Sequence, residues 1–274
     1  MPLTDFQSEV LSVIVANRSE ESHFAGGLVL NAGSDSPRFS KDFDFFHDGI
    51  EALAAASERD VAILLASGFD VIPDESYGSW DSPNSFRRAK VRRNDEEMTL
   101  DWAHDTAWRF FPIIKDPVLG WRLHLFDMAV NKALALSGRT ETRDYVDILE
   151  LGRRYSLEAI VWAACGKDEG FSPLFLLKMM RRFAKTVRGE LDEIKARHLD
   201  PIEMKMEWID MCDRAEAEIT RLADTQPDMP IGVAFVSDQG EPGWIGRDPA
   251  LRIHRLSLRG SWPPPPDSST EGNR

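Results

Sequence analysis

"FSKDFDFF", residues 39–46, alternates acids with aromatic side chains. A period of two marks a strand, because successive strand side chains point to opposite faces. Ser40, Asp42 and Asp44 then share one face, and Lys41, Phe43 and Phe45 the other. The phenylalanine face suits a core. The opposite face sets two carboxylates side by side, and their repulsion is offset either by a solvated edge or by a divalent cation. A third acid repeats the pattern. In "MTLDWAHD" (98–105), Thr99 and Asp101 point one way and Met98, Leu100 and Trp102 the other. Three convergent carboxylates supply the oxygen donors that two magnesium ions take, and two such ions stabilise the attacking and leaving oxygens of an in-line phosphoryl displacement. An acid on the neighbouring strand can also help deprotonate an attacking hydroxyl.

The surroundings extend the pattern in both directions. Upstream, "HFAGGLVLNAG" (23–33) reads as a short strand, a glycine turn and a helix start. There, bare N–H groups either approach phosphate or simply close the turn. Arg38 and Ser40, before the acids, either touch phosphate oxygens or cap the loop. "LTDFQSEVLSVIVANR" (3–18) predicts a helix with Thr4 as cap and Gln7 at the capping-box position. "HDGIEALAAASERDVAILLASG" (47–68) predicts another, capped by Asp48 and stopped by Gly68. "FDVI", "SFRRAKV" and "EMTLDWA" read as strands. Beyond about residue 120 the chain turns helical. Segments begin at Trp121 (ending at Gly138), Thr142, Ser156, Ser172 (with Pro173 at the first helical position) and Asp200. The expectation is an α+β chain of four parts. These are a mixed-sheet core over 1–120, a helical domain over 121–224 that completes the cleft, a turn-rich stretch over 225–262 with two short strands, and a disordered tail over 263–274.

Composition narrows the function. No apolar run is long enough to cross a bilayer, and the N-terminus lacks the basic-then-apolar order of a signal peptide. Cys165 and Cys212 form neither a disulfide framework nor a metal spacing. A cytoplasmic protein with no membrane partner is expected. A net charge of −13 argues against general adhesion to nucleic acid. Two basic clusters leave local polyanion binding open beside the reading of a solvated face: Arg87, Arg88, Lys90, Arg92 and Arg93 on a strand, and Lys178, Arg181, Arg182, Lys185 and Arg188, most of them on one helix face. No Walker loop, zinc spacing or serine-hydrolase elbow is present.

Taken together, "GGLVLN" (26–31), "RFSKDFDFF" (38–46) and "NKALALSGRTETRDYVDILEL" (131–151) resemble the nucleotidyltransferase toxins of the AbiEii/AbiGii group. That group lies within the DNA polymerase β-like nucleotidyltransferase superfamily. Matching elements span roughly residues 22–151. One position departs: many relatives carry a lysine two places before the third aspartate, where this chain has Thr99.

The resemblance implies a nucleotidyltransferase sheet followed by helices, and transfer of a nucleoside monophosphate from an NTP with release of pyrophosphate. The acceptor it implies is RNA such as tRNA, and the partner a cognate antitoxin. It implies two Mg2+ ions on Asp42, Asp44 and Asp101 as metal and catalytic residues, with nucleotide contacts from Gly26, Gly27, Arg38, Ser40, Lys132, Arg139, Arg143 and Asp147. Read by themselves, several of these residues have plainer roles. Lys132 lies among apolar helix neighbours and must snorkel or meet an anion. Arg143 and Asp147 are one helical turn apart and can pair with each other, and Asp144 can do no more than favour a helix N-terminus. His104 and Asp105 follow the third acid and either line the cleft or are incidental, as is His23. Two other functions share the fold: a non-catalytic RNA- or protein-binding module, and a small-molecule nucleotidyltransferase.

Overall fold

A computed structural model describes residues 3–33 and 35–264. In chain order it contains α1 (Asp5–Ile14), β1 (Ser22–Ala25), α2 (Gly26–Asn31), β2 (Asp42–His47), α3 (Ile50–Ala66), β3 (Asp70–Pro73), β4 (Phe86–Arg93), β5 (Glu96–His104), β6 (Trp108–Arg109), β7 (Ile114–Asp116) and β8 (Gly120–Arg122). There follow α4 (Leu125–Gly138), α5 (Thr142–Tyr155), α6 (Leu157–Ala164), α7 (Pro173–Phe183), α8 (Arg188–Ile194), α9 (Pro201–Thr225), β9 (Ala234–Val236), β10 (Pro242–Gly243), β11 (Arg252–His254) and β12 (Ser257–Leu258). The chain is α+β, as expected.

The two acid-bearing strands lie at the centre of a mixed seven-stranded sheet ordered β3-β4-β5-β2-β1-β8-β7. β2 and β5 run parallel, in a register that sets Asp44 beside Asp101 and Asp42 beside Thr99. β1 is antiparallel to β2, with Ala25 opposite Asp44. The alternation works as predicted. Phe43 and Phe45 are fully buried and pack with Phe24 and Trp102, the Phe24–Phe45 ring centroids lying 4.8 Å apart. Burying four such aromatics contributes on the order of 1.5–3 kcal/mol each. Asp60 of α3 braces this side of the sheet. It accepts from Arg18 at 2.5 and 2.6 Å and from Trp102 Nε1 at 2.8 Å, while the Arg18 guanidinium lies 4.2 Å from the Phe45 ring centroid.

The capping box of α1 forms, with Gln7 N donating to Thr4 Oγ1 at 3.0 Å and Thr4 N donating to Gln7 Oε1 at 3.0 Å. α9 starts as its Asp-Pro signal predicts, the Asp200 carboxylate accepting from Ile202 N and Glu203 N. Three local expectations are corrected. Asp48 does not cap α3; Gly49 occupies that position, and Asp48 is held by both Nη atoms of Arg109 at 2.8 and 2.9 Å. The helix expected from Trp121 starts at Leu125. Gly120, at φ +71°, turns the chain so that Trp121 and Arg122 continue into β8 between β1 and the edge strand β7, and His124 caps α4. Of the basic cluster at 178–188, Lys178, Arg181 and Arg182 lie at helical spacing on α7, but Lys185 and Arg188 fall outside that face, because α7 stops at Phe183 and Arg188 opens α8.

α4, α6, α7 and α9 pack together as a bundle, and α4 also touches α2 and α5. Among the described residues, the stretch after α9 holds four short strands. β10-β9-β11 form a small sheet beside α6, and β12 pairs with β6. Of the expected tail, only Pro263 and Pro264 are described; residues 265–274 lie outside the described residues. Among the described residues, no helix is long and apolar enough to cross a membrane.

Candidate active site

The sheet and the α4–α5 corner enclose a cavity of about 390 Å3. Asp42, Asp44 and Asp101 face it from the sheet; Gly26, Gly27, Arg38 and Ser40 from the turn and loop; Lys132, Arg139 and Arg143 from the helices. Apolar walls come from Phe46, Phe86, Leu123, Met128 and Ala135. Residues far apart in sequence are thus brought to one space.

The glycines are required by close approach. Gly26 has φ +63°, and a β-carbon there would lie 1.9 Å from Asp44 Oδ2. A β-carbon at Gly27 would lie 2.3 Å from Arg38 Nη2 and 3.1 Å from Ser40 Oγ. The backbone of the turn therefore lies directly against the acids and the loop. Ser40 Oγ donates to the Asp42 carbonyl at 3.2 Å, and Gln7 Nε2 donates to the Ser40 carbonyl at 2.7 Å, which fixes the loop to α1.

The cations Arg38, Lys132 and Arg139 are paired with two buried aspartates of α5, Asp144 and Asp147. Arg38 forks onto Asp147 through Nε and Nη2, both at 2.6 Å, in a nearly sealed position. Lys132 Nζ sits 2.8 Å from both Asp144 and Asp147, and Arg139 Nε donates to Asp144 at 2.6 Å. Burial pushes the Asp147 carboxyl up, but Arg38 and Lys132 outweigh it and hold the group well below the usual carboxylate range. Asp144 is lowered in the same way, by Lys132 and Arg139 against burial. Lys132 stays charged although buried, because Asp147 and Asp144 outweigh the loss of water.

Several pairings differ from the local reading of the sequence. Arg143 does not pair with Asp147; its Nη1 lies 3.4 Å from Asp42 Oδ2. Asp147 is fully buried beneath the cavity and does not line it. Asp144 bonds side chains rather than only favouring a helix end. His104 is exposed at the end of β5, Asp105 accepts from Asn131 at 3.3 Å, and His23 is buried away from the cavity.

Two of the three acids, Asp42 and Asp44, carry charge that their surroundings do not balance. Asp44 is pushed up to about 6, first by burial, then by Asp101 and Asp42, with Lys132 opposing. Asp42 is also raised, by burial and by Asp101. A carboxylate that resists ionisation in this way suits a cation. The donor set fits magnesium in chemistry, being hard carboxylate oxygen on one sheet face. It is not assembled as it stands. Among the described residues, no three acid, histidine or cysteine side chains converge on one point in a metal-holding group. Both Asp101 oxygens are engaged by Arg88, at 2.7 and 2.6 Å. Asp42 and Asp44 are the residues that would hold a cation, and Asp101 would join them only if parted from Arg88.

The basic strand is correspondingly occupied. Arg87 is buried and donates to Ser57 Oγ at 2.9 Å and the Trp80 carbonyl at 2.6 Å. Lys90 and Arg92 pair with Glu97, and Arg93 with Glu9. In the other cluster Arg181 pairs with Asp213 at 2.5 Å. Lys178, Arg182, Lys185 and Arg188 are exposed and have no ion-pair partner among the described residues.

The Arg88–Asp101 pair was not expected, yet the sequence carries a signal for it. β4 and β5 are joined by the two residues Asn94-Asp95, with Arg93 opposite Glu96. Counting back from that turn puts Arg88 opposite Asp101.

No known family profile and no curated protein matches the sequence. MenT4, a nucleotidyltransferase toxin of Mycobacterium tuberculosis, superposes with a TM-score of 0.53 at 14% identity, over 80% of this chain and 85% of MenT4. This chain shares the fold of MenT4. JHP933 of Helicobacter pylori is also similar, with a TM-score of 0.48 at 19% identity, over 83% of this chain and 99% of that one. Within this fold, the acid face of β2 and β5 and the two glycines that open α2 enclose one end of the cavity, and α4 and α5 the other.

Proposed function

We propose that the protein is a metal-dependent nucleotidyltransferase that moves a nucleoside monophosphate from an NTP to an acceptor. RNA such as tRNA is the proposed acceptor class, and the proposed setting is a cytoplasmic toxin–antitoxin pair. The observation that carries the reading is the meeting of Asp42, Asp44 and Asp101 on one sheet face, beside a glycine turn and under a cation-lined cavity. The fold shared with a nucleotidyltransferase toxin supports it.

In this reading Asp42 and Asp44 hold Mg2+, and Asp101 completes the set. The ions, when bound, offset charge on the triphosphate and polarise the reacting oxygens. The Gly26–Gly27 turn lets backbone approach the phosphates closely, and the Ser40 hydroxyl adds a donor. Lys132, Arg139 and Arg143 line the side of the cavity where triphosphate charge would lie. Asp101 accepts the proton of the acceptor hydroxyl. That oxygen bonds to the α-phosphorus as the bond to pyrophosphate breaks. The apolar wall of Phe46, Phe86 and Met128 offers a face to the base. Asp147 acts indirectly, by fixing Arg38 and Lys132. Lys178, Arg182, Lys185 and Arg188 are the proposed RNA contacts; the 87–93 strand is dropped from that role because its cations are paired or buried.

The test is incubation of purified protein with Mg2+ and each NTP, labelled at the α or the γ position, with and without total RNA. The reading predicts α-label on RNA, no γ-label, and neither in Asp42→Asn/Asp44→Asn. Label on a small acceptor without RNA would point to a small-molecule enzyme. Absence of transfer and of NTP binding would leave a binding module, a reading that the engagement of Asp101 by Arg88 favours.

A further inference from the structure

Of the arginine forks that grip aspartates among the described residues, two bear on the cavity, Arg38 on Asp147 and Arg88 on Asp101, and they differ in kind. Arg38 on Asp147 is sealed, with side-chain exposures of 4% and 0%. Arg88 on Asp101 stands in the cavity wall, with 29% and 10%. The first is structural. The second uses both oxygens of a carboxylate that faces Asp42 and Asp44.

Arg88 also has somewhere else to rest. Its Nη1 donates to the Tyr77 hydroxyl at 2.8 Å. Its Cζ lies 4.9 Å from the Tyr77 ring centroid and 5.5 Å from that of Phe86. Tyr77 is 47% exposed, on the short turn before β4. A guanidinium stacked on two rings keeps favourable contacts when its carboxylate is withdrawn.

We propose that Arg88 is a positioning residue that covers Asp101 until a divalent cation claims it, whereupon Arg88 stays on the Tyr77–Phe86 shelf. The proposal rests on the metal-dependent reading above. The physical conflict is direct. A carboxylate engaged by a two-pronged fork has few lone pairs left, and a dication at those oxygens repels the guanidinium. Arg88 and Asp101 are cross-strand neighbours, so a side-chain rotation is enough to part them. The consequence is a site that takes up metal weakly when alone and completes itself when ligands arrive.

The test is Mn2+ titration without nucleotide, followed by the loss of the free-ion electron paramagnetic resonance signal. Wild type, Arg88→Ala, Arg88→Lys and Arg88→Ala/Asp44→Asn are compared, with thermal melts as a check on folding. Freeing Asp101 of a charged double hydrogen bond should tighten Mn2+ binding by roughly tenfold or more in Arg88→Ala. Arg88→Lys, which keeps the charge but cannot fork, should fall between. The gain should vanish in the double variant. Should Arg88→Ala fail to fold, tighter binding in Arg88→Lys supports the latch by itself, and unchanged binding there overturns it. Asp44-dependent binding that is unchanged or weaker without Arg88 would overturn the latch alone. No Mn2+ binding in any variant would overturn the metal reading together with it.

Discussion

A β-carbon on residue 26 would overlap the Asp44 carboxylate, and the backbone there has a positive φ that L side chains rarely adopt. Gly26→Ala therefore meets two penalties, a strained backbone costing about 1–3 kcal/mol and a displaced acid. We expect a lower melting temperature and at least a tenfold loss of transfer, checked by calorimetry and the α-label assay. Asp44 presents the opposite case. Its carboxyl, pushed up to about 6 by burial and by Asp101 and Asp42, is an expensive charge in the ligand-free fold. An asparagine of the same shape removes that charge, so Asp44→Asn should leave the melting temperature unchanged or raised at neutral pH. The acids and the glycine turn were legible in the sequence because alternation and turn chemistry are local. The partners of Lys132 were not, because Asp144 and Asp147 reach it only through the packing of α5 on α4.

At the scale of elements, the helices are tied to the acid loop through one buried carboxylate. Asp147 of α5 holds Arg38 ahead of β2 and Lys132 of α4, and also accepts from Asn31 of α2 at 3.1 Å. Asp147→Asn leaves Arg38 buried without its counter-charge and should cost roughly 3–5 kcal/mol, read from denaturant melts. The pH dependence has a definite sign. The folded carboxyl lies below its unfolded value of about 4, so its contribution is full above that value and is lost as the pH falls. The gap between wild type and variant should shrink in acid. Element boundaries were legible where side chains mark them: Thr4 with Gln7, and Asp200 with Pro201. They were misread at Trp121, where three residues of β8 are too few to show a period and a neighbouring strand decides. Asp48 was misread for a related reason, since Arg109, from another strand, outcompetes a helix end.

Across the whole molecule, a charge of −13 repels a polyanion except where unpaired cations gather. The stretch from α7 to α8 is such a place. α8 opens with Arg188 and ends at Ile194, which lines the cavity, so the exposed cations lead toward its mouth. Lys185→Glu/Arg188→Glu should weaken RNA binding about tenfold and flatten its salt dependence, with NTP affinity unchanged. Equal loss of both affinities would place the acceptor elsewhere. Above all, nucleotide transfer is proposed to occur on the acid face of β2 and β5. The decisive measurement is the rate of α-label transfer by wild type and by Asp44→Asn, with folding verified in the same samples. The expected result is a fall of about a thousandfold or more, the several kcal/mol that a lost metal ligand costs, in a protein that melts no lower. Transfer by Asp44→Asn at the wild-type rate would contradict it.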